Sequence, residues 1–196
     1  MTNDILEQVA EDYFRSEGYF TQHNIKYRPH LSGNQYAVNS DIDILALHPT
    51  KKVNDSKRVV VVSCKSWQGG LNISRHLKIL QETPNRMLSG KEIWKTYREI
   101  ADKIWAKALK NKVRELTGSD IFTFYLIVTQ FRGNRVAWEE CRLFRNNLDG
   151  CDIKLMSMQE MLTPLQRKLT ITPAHSELSR MLQLIKAGGG SVTYDN

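Results

Sequence analysis

Two neighbouring apolar stretches decide the fold: residues 40–47 read SDIDILAL, and residues 58–67 read RVVVVSCKSW. The segment between them is polar and rich in lysine, which predicts a turn and therefore a β-hairpin. Asp43 and Lys65 should then lie near each other at one end of a buried sheet. Because buried charges are costly unless they are paired or bind a metal, these two side chains form either a structural ion pair or an active site.

This layout resembles the core motif of the restriction-endonuclease-like superfamily of nucleases, the PD-(D/E)XK fold. In that family an aspartate begins a strand of the form Asp-apolar-apolar-Ala, and the next strand ends in an acidic residue, a variable residue and a lysine. Residues 43–46, DILA, match the first element. Residues 63–65, SCK, keep the lysine but place Ser63 where the family has its second acid. The resemblance covers about residues 4–170.

The resemblance implies a DNA endonuclease that depends on Mg²⁺ or Mn²⁺, with Asp43 as a metal ligand and Lys65 as the catalytic lysine. Phosphodiester hydrolysis needs an activated water and charge stabilisation at the phosphate, and metal ions held by carboxylates supply much of both. Ser63 leaves four alternatives. The metal is held by Asp43, the main-chain carbonyl of Cys64 and a helix glutamate; the acid has moved to another element; or the chain is an inactive relative that still binds DNA. The fourth is Ser63 as a nucleophile, for which no His or Asp is visibly placed as the base.

Glu7 is the predicted replacement acid. The first helix of many superfamily members has a glutamate, a small residue three positions later, an aromatic pair, and then a glycine followed by an aromatic residue. Glu7, Ala10, the Tyr-Phe pair at 13–14 and the Gly-Tyr pair at 18–19 fit that pattern. By the resemblance, Glu7 would be catalytic and would complete the metal site. The alternative is structural, because Asp4 and Glu7 have the spacing of a helix capping box.

Other polar residues are candidates for supporting roles or for DNA contact. Asp41 shares a sheet face with Asp43 and, like Ser63, is expected to support the site. Gln68 follows the lysine, where it could contact a phosphate or a water. Two basic sets could track a phosphate backbone, although ordinary solvated surface is the alternative for each. They are Lys103, Lys107, Lys110 and Arg114, spaced along one helix face, and Lys51 and Lys52 in the hairpin turn.

The composition favours a polyanionic partner and a reducing compartment. The 28 lysines and arginines exceed the 21 acidic residues, so the net charge of +7 favours nucleic acid first and an anionic membrane surface second. The 3 cysteines are odd in number and show no C-x-x-C spacing, which argues against a disulfide framework and a zinc site. No apolar run approaches the roughly 20 residues that span a bilayer, and no signal peptide is visible, so we expect a cytoplasmic protein.

Hydrophobic periodicity predicts an α/β fold with a mixed central sheet flanked by helices. We expect a single domain over residues 1–196, a long helical insertion at 71–118 that is irregular or weakly helical before residue 91, and a flexible tail at 188–196. Predicted helices cover 4–17, 91–116, 135–148, 157–169 and 172–187, and predicted strands lie near 35–38, 42–47, 58–65, 121–129 and 153–156.

Three functions are therefore open. The first is a metal-dependent deoxyribonuclease, for which a homodimer is expected only weakly, because enzymes that cut both strands commonly dimerise. The second is a catalytically inactive pseudo-nuclease that serves as a DNA-binding or protein-interaction module, which Ser63 favours. The third is a scaffold protein that assembles through its tryptophan-bearing long helix. Metal-dependent cleavage, metal-independent DNA binding and concentration-dependent assembly distinguish the three.

Overall fold

The computed structural model describes residues 4–29, 39–81, 87–88, 91–168, 176–190 and 192. The fold is α/β, with a mixed five-stranded sheet flanked by helices, as the periodicity predicts. The helices are α1 Ile5–Ser16, α2 Ile73–Gln81, α3 Ile93–Thr96, α4 Arg98–Ala101, α5 Lys103–Thr117, α6 Arg135–Glu139, α7 Arg142–Asn147, α8 Met158–Lys168 and α9 Glu177–Ala187. The strands are β1 Phe20–Tyr27, β2 Ser40–Leu47, β3 Val59–Lys65, β4 Leu71–Asn72, β5 Met87–Leu88, β6 Lys91–Glu92, β7 Thr123–Val128, β8 Phe131–Arg132 and β9 Asp152–Ser157.

The central sheet has the strand order β1-β2-β3-β7-β9. β1, β2 and β3 pair in antiparallel fashion, which confirms the predicted hairpin. β7 pairs parallel to β3, and β9 pairs parallel to β7. The parallel pairs place the carboxyl end of β3 beside the carboxyl end of β7, with Lys65 opposite Val128.

The four valines of β3 are all buried, because helices cover both faces of the sheet. Side chains alternate between the faces of a strand. Val60 and Val62 pack in one hydrophobic cluster with α1, α8 and α9. Val59 and Val61 pack in the other cluster, with α2 to α7. Ser63 and Lys65 continue the second series, so the insertion lies over their face of the sheet.

The insertion differs from its prediction after residue 91. Before that point, the stretch expected to be irregular or weakly helical contains α2, whose buried face includes Leu77 and Leu80. The helix predicted over 91–116 is divided into α3, α4 and α5. Asp102 is extended, with φ −123° and ψ 126°, and its carboxylate accepts hydrogen bonds from the backbone N–H groups of Ile104 and Trp105. Asp102 therefore ends one helix and caps the next, which changes the direction of the chain after α4.

Other parts of the sequence prediction require correction or lie outside the described residues. The edge strand β1 was not predicted, because Ile25 and Tyr27 are its only fully buried side chains. The helix predicted at 135–148 is two short helices separated at Cys141. The described last helix begins at Glu177, after Ser176 caps it, and ends as predicted before Gly188. The strand at 35–38, the helix start at 172 and most of the tail at 188–196 fall outside the described residues.

No described helix combines the length and the apolar character needed to cross a membrane.

Candidate active site

The antiparallel register of β2 and β3 brings the two motif residues to the same end of the sheet. Ile44 pairs with Val62, which places Asp43 beside the last residues of β3. The Asp43 carboxylate accepts a hydrogen bond of 2.6 Å from the backbone N–H of Cys64. The structure therefore confirms that Asp43 and the Lys65 end of β3 are neighbours. The metal role expected for the Cys64 carbonyl stays a prediction.

A glutamate from the insertion lies against the serine that replaces the family acid. The Ser63 hydroxyl donates a hydrogen bond of 2.9 Å to Oε1 of Glu99. The Lys65 ammonium donates to the Ser63 oxygen, also at 2.9 Å. Because an ammonium group can only donate, the single hydroxyl proton of Ser63 is left to point at Glu99. Ser63 therefore joins the lysine to a carboxylate that is only 7% exposed.

The single helix predicted over 91–116 does not describe the position of Glu99. One continuous helix would place Glu99 on a face shared with the lysines of α5. Glu99 lies instead in α4, beside the buried residues Ile100 and Ala101. The break at Asp102 separates α4 from α5, so the two segments do not share one helical face. The signal that could have revealed Glu99 is Asp102 itself, which is a favourable N-cap residue directly before a helical run.

Glu7 lies in α1, which packs on the face of the sheet opposite the insertion, and it does not line the cavity that contains Glu99. Among the described residues, the Glu7 side chain forms no hydrogen bond or ion pair, so the described contacts do not complete a capping box. Asp4 caps the helix through the N–H of Leu6. Burial, followed by the charge of Asp43, raises the pKa of the Glu7 carboxyl. Glu7 is thus electrostatically coupled to the site, and its catalytic use stays a prediction.

The electrostatics of Asp43 are those of a carboxylate held in a poorly solvated pocket. Burial is the largest influence and raises the pKa of Asp43. The Lys65 ammonium and the Cys64 N–H act in the opposite direction, and the charge of Glu99 adds to the increase. The net effect is a pKa above the ordinary aspartate value. A cation bound beside Asp43 would offset both the burial and the neighbouring negative charge that raise its pKa.

These side chains surround an open cavity of about 420 Å³ at the end of the hairpin. Its walls come from three elements: β2, β3 and the α3–α4 segment of the insertion. The cavity therefore combines carboxylates and cations in its lining. The lining residues that bear on its chemistry are Asp41, Asp43, Ser63, Lys65, Lys95, Arg98 and Glu99.

The two predicted supporting residues have different positions. Asp41 lines the cavity, as expected from its sheet face, and its carboxylate is paired with the Lys26 ammonium at 2.5 Å. Gln68 is an exposed loop residue that does not line the cavity. Its described contact uses the backbone carbonyl, which accepts a hydrogen bond of 3.4 Å from Gln130. Contact of Gln68 with a phosphate or a water stays a prediction.

The basic set on α5 extends away from the cavity. The Lys110 ammonium donates to the carbonyl of Asp149 at 2.6 Å, and Arg114 is paired with Asp120. These partners lie just before β9 and β7 begin, whereas Lys65 lies where β3 ends beside the end of β7. A six-residue strand spans roughly 20 Å. Two members of the set are therefore engaged at the far end of the sheet.

The other predicted DNA contacts do not line the cavity. Lys51 and Lys52 lie in the turn between β2 and β3, beyond the pair formed by Leu47 and Val59. That pair lies at the opposite end of the hairpin from the cavity. Lys103 and Lys107 are exposed on α5. Contact of these side chains with DNA stays a prediction.

The chemistry of the cavity is compatible with a hard divalent cation. Asp43 and Glu99 offer carboxylate oxygens, each with one oxygen engaged in the hydrogen bonds described above. Among the described residues, no group of three or more His, Cys, Asp or Glu side chains is arranged to hold a metal ion. Mg²⁺ nevertheless commonly uses one or two protein carboxylates and completes its coordination with waters and substrate phosphates. Asp43 and Glu99 are two carboxylates that line the same cavity, and metal binding by them stays a prediction.

Comparisons of this chain with protein-family models, with curated proteins and with solved structures find no significant match.

Proposed function

We propose that this protein is a metal-dependent deoxyribonuclease in which Asp43, Glu99 and Lys65 form the active site. The observation that carries the proposal is the contact between Ser63 and Glu99, because it supplies a carboxylate at the position where the strand lacks one. The resemblance of the β2–β3 hairpin to the restriction-endonuclease-like core motif supports the same conclusion. Ser63 is then a positioning residue for both Lys65 and Glu99.

Asp43 and Glu99 would hold the metal, Mg²⁺ or Mn²⁺. When bound, the metal would polarise the phosphate and supply a water that is nucleophilic near neutral pH. The Lys65 ammonium, fixed by Ser63, is placed to stabilise the negative charge that develops on the phosphate oxygens. The Cys64 N–H fixes the orientation of the Asp43 carboxylate by its hydrogen bond of 2.6 Å. Burial of Glu99 limits the water around that carboxylate, which strengthens its attraction for a cation.

DNA is the substrate that the charge distribution favours. The chain carries a net charge of +7, which favours a polyanion. Lys65, Lys95 and Arg98 line the cavity on the side of the insertion and at the end of β3. A phosphate that approaches two carboxylates needs such cations, because like charges otherwise repel it.

The experiment is cleavage of supercoiled plasmid, single-stranded DNA and a branched duplex, each in Mg²⁺, Mn²⁺ or EDTA. We compare the wild type with Asp43→Ala, Lys65→Ala and Glu99→Gln, and use Glu115→Gln, an exposed glutamate of α5, as the matched control. Cleavage should require the metal and should fall about 100-fold or more in the three site variants, as for other removed transition-state or metal contacts. The control should cut like the wild type.

Two outcomes would decide against the proposal. If Glu99→Gln cuts at the wild-type rate while Glu7→Gln does not, the second acid comes from α1 and the role assigned to Glu99 is wrong. If the wild type cuts none of the substrates with either metal but still binds DNA, the inactive pseudo-nuclease is the better description.

A further inference from the structure

Arg98 directly precedes Glu99 in α4 and lines the same cavity. Its guanidinium carbon lies 5.0 Å from the centre of the Trp105 ring, a distance typical of a cation–π contact. Its Nε donates a hydrogen bond of 3.0 Å to the carbonyl of Lys95. The half-buried side chain is therefore held by two contacts, neither of which neutralises its charge.

The other two cations of the cavity are engaged differently. The Lys95 ammonium is paired with the carboxylate of Glu92. The Lys65 ammonium is hydrogen-bonded to Ser63 and coupled to Asp43. Arg98 has no carboxylate within ion-pair distance among the described residues. The two terminal nitrogens of its guanidinium are thus the cavity's least neutralised donors.

We propose that Arg98 binds a backbone phosphate of DNA beside the Asp43–Glu99 pair, a step that rests on the proposed nuclease function. A guanidinium presents parallel N–H donors that match two oxygens of one phosphate. Because Trp105 and the Lys95 carbonyl already hold the side chain, little conformational entropy is lost when it binds. α4 therefore supplies an acid and a cation from consecutive positions, so that the metal and the phosphate are bound next to each other.

The test measures binding rather than cleavage, so it does not depend on turnover. The probe is a fluorescein-labelled DNA duplex, titrated in Ca²⁺ and in EDTA between about 50 and 200 mM salt, with intact probe confirmed on a gel. The variants are Arg98→Ala and Arg98→Lys, and the matched control is Arg142→Ala, an exposed arginine of α7 that does not line the cavity. Melting curves confirm that each variant is folded at the temperature of the titration.

Arg98→Ala should weaken binding about 10-fold and reduce the slope of log affinity against log salt by about 0.9, the value for one lost phosphate contact. Arg98→Lys should keep most of the slope, because its charge remains, and should still bind several-fold more weakly because the two-pronged contact is lost. Arg142→Ala should bind like the wild type. A merely structural arginine would lower the melting temperature and leave the salt slope unchanged.

An unchanged affinity and slope in Arg98→Ala would overturn the proposal, as would a larger loss in Lys107→Ala, which would assign DNA binding to the face of α5. Failure of the nuclease function has a different result. In that case the wild type binds the probe and loses affinity with Arg98→Ala, yet cuts nothing in Mg²⁺ or Mn²⁺. Absence of wild-type binding in both Ca²⁺ and EDTA would overturn the role of Arg98 outright.

Discussion

The role of Glu99 can be tested by removing its carboxylate from the insertion and placing a carboxylate on β3 at position 63 instead. The variants are Ser63→Asp, Glu99→Ala and the double variant that carries both changes. The Ser63 oxygen lies 2.9 Å from the Glu99 carboxylate. An aspartate at position 63 would therefore place its own carboxylate in the space that the Glu99 carboxylate now occupies. In the double variant that space contains one acid again, supplied by the strand.

The expected magnitudes follow from this short distance. Two negative charges about 4 Å apart repel each other by about 4 kcal/mol at an effective dielectric of 20. Lys65 and partial protonation of the pair reduce this value, so we expect Ser63→Asp alone to lower the free energy of unfolding by roughly 2–4 kcal/mol at mildly alkaline pH. The double variant lacks the repulsion. The two single changes should therefore be non-additive by about 3 kcal/mol.

The assays are urea denaturation for stability and plasmid cleavage in Mg²⁺ for activity. We expect Glu99→Ala to cut about 100-fold more slowly than the wild type, and the double variant to recover to within about 10-fold. Additive stability changes, or a Ser63→Asp variant as stable as the wild type, would show that residues 63 and 99 are not in contact. Recovery of stability without recovery of cleavage would show that the contact is structural only.

Two more predictions concern Asp43 and the support of α4. Burial raises the pKa of Asp43 in the folded state, so ionisation of this carboxyl opposes folding. In metal-free protein, Asp43→Asn should therefore increase the free energy of unfolding at neutral pH. This gain in stability should disappear as the pH falls through the raised pKa. Urea denaturation at a series of pH values measures this gain, and a constant gain at every pH would contradict the assignment. Asn147 donates a hydrogen bond of 2.8 Å to the carbonyl of Ile100 at the end of α4. Asn147→Ala should therefore cost about 1 kcal/mol of stability by urea denaturation and slow cleavage, and an unchanged cleavage rate would show that this bond does not position Glu99.

The sheet could be predicted from the sequence because its signals are local. Four consecutive valines and an alternating partner strand define the β2–β3 hairpin, and the register then fixes Asp43 near Lys65. β1 could not be predicted because an edge strand needs few apolar side chains. Its sequence, FTQHNIKY, shows no strong alternation of apolar and polar residues. Strand order and pairing direction depend on contacts between segments far apart in the chain, which periodicity does not report.

Glu99 could not be identified in the same way. It contacts a residue 36 positions earlier, and no local rule links the two. The stripe formed by Tyr97, Ile100 and Trp105 keeps helical spacing across the break at Asp102, so the pattern is the same for one helix as for three. The N-cap residue Asp102 is a signal for the break, but only the packing of α4 against the sheet brings Glu99 to Ser63. Sequence reasoning therefore found the two strand residues of the site and missed the residue contributed by the insertion.

The position of Glu99 links the completeness of the site to the folding of the insertion. Asp43 and Lys65 belong to the hairpin and come together when the sheet forms. Glu99 and Arg98 come together with them only when α4 is packed on the face of β3 that carries Ser63. A site divided in this way has a physical consequence: loosening α4 removes an acid and a cation at the same time. Changes that loosen α4 should therefore weaken metal binding and phosphate binding together. Changes within the hairpin should instead weaken one of these two kinds of binding more than the other.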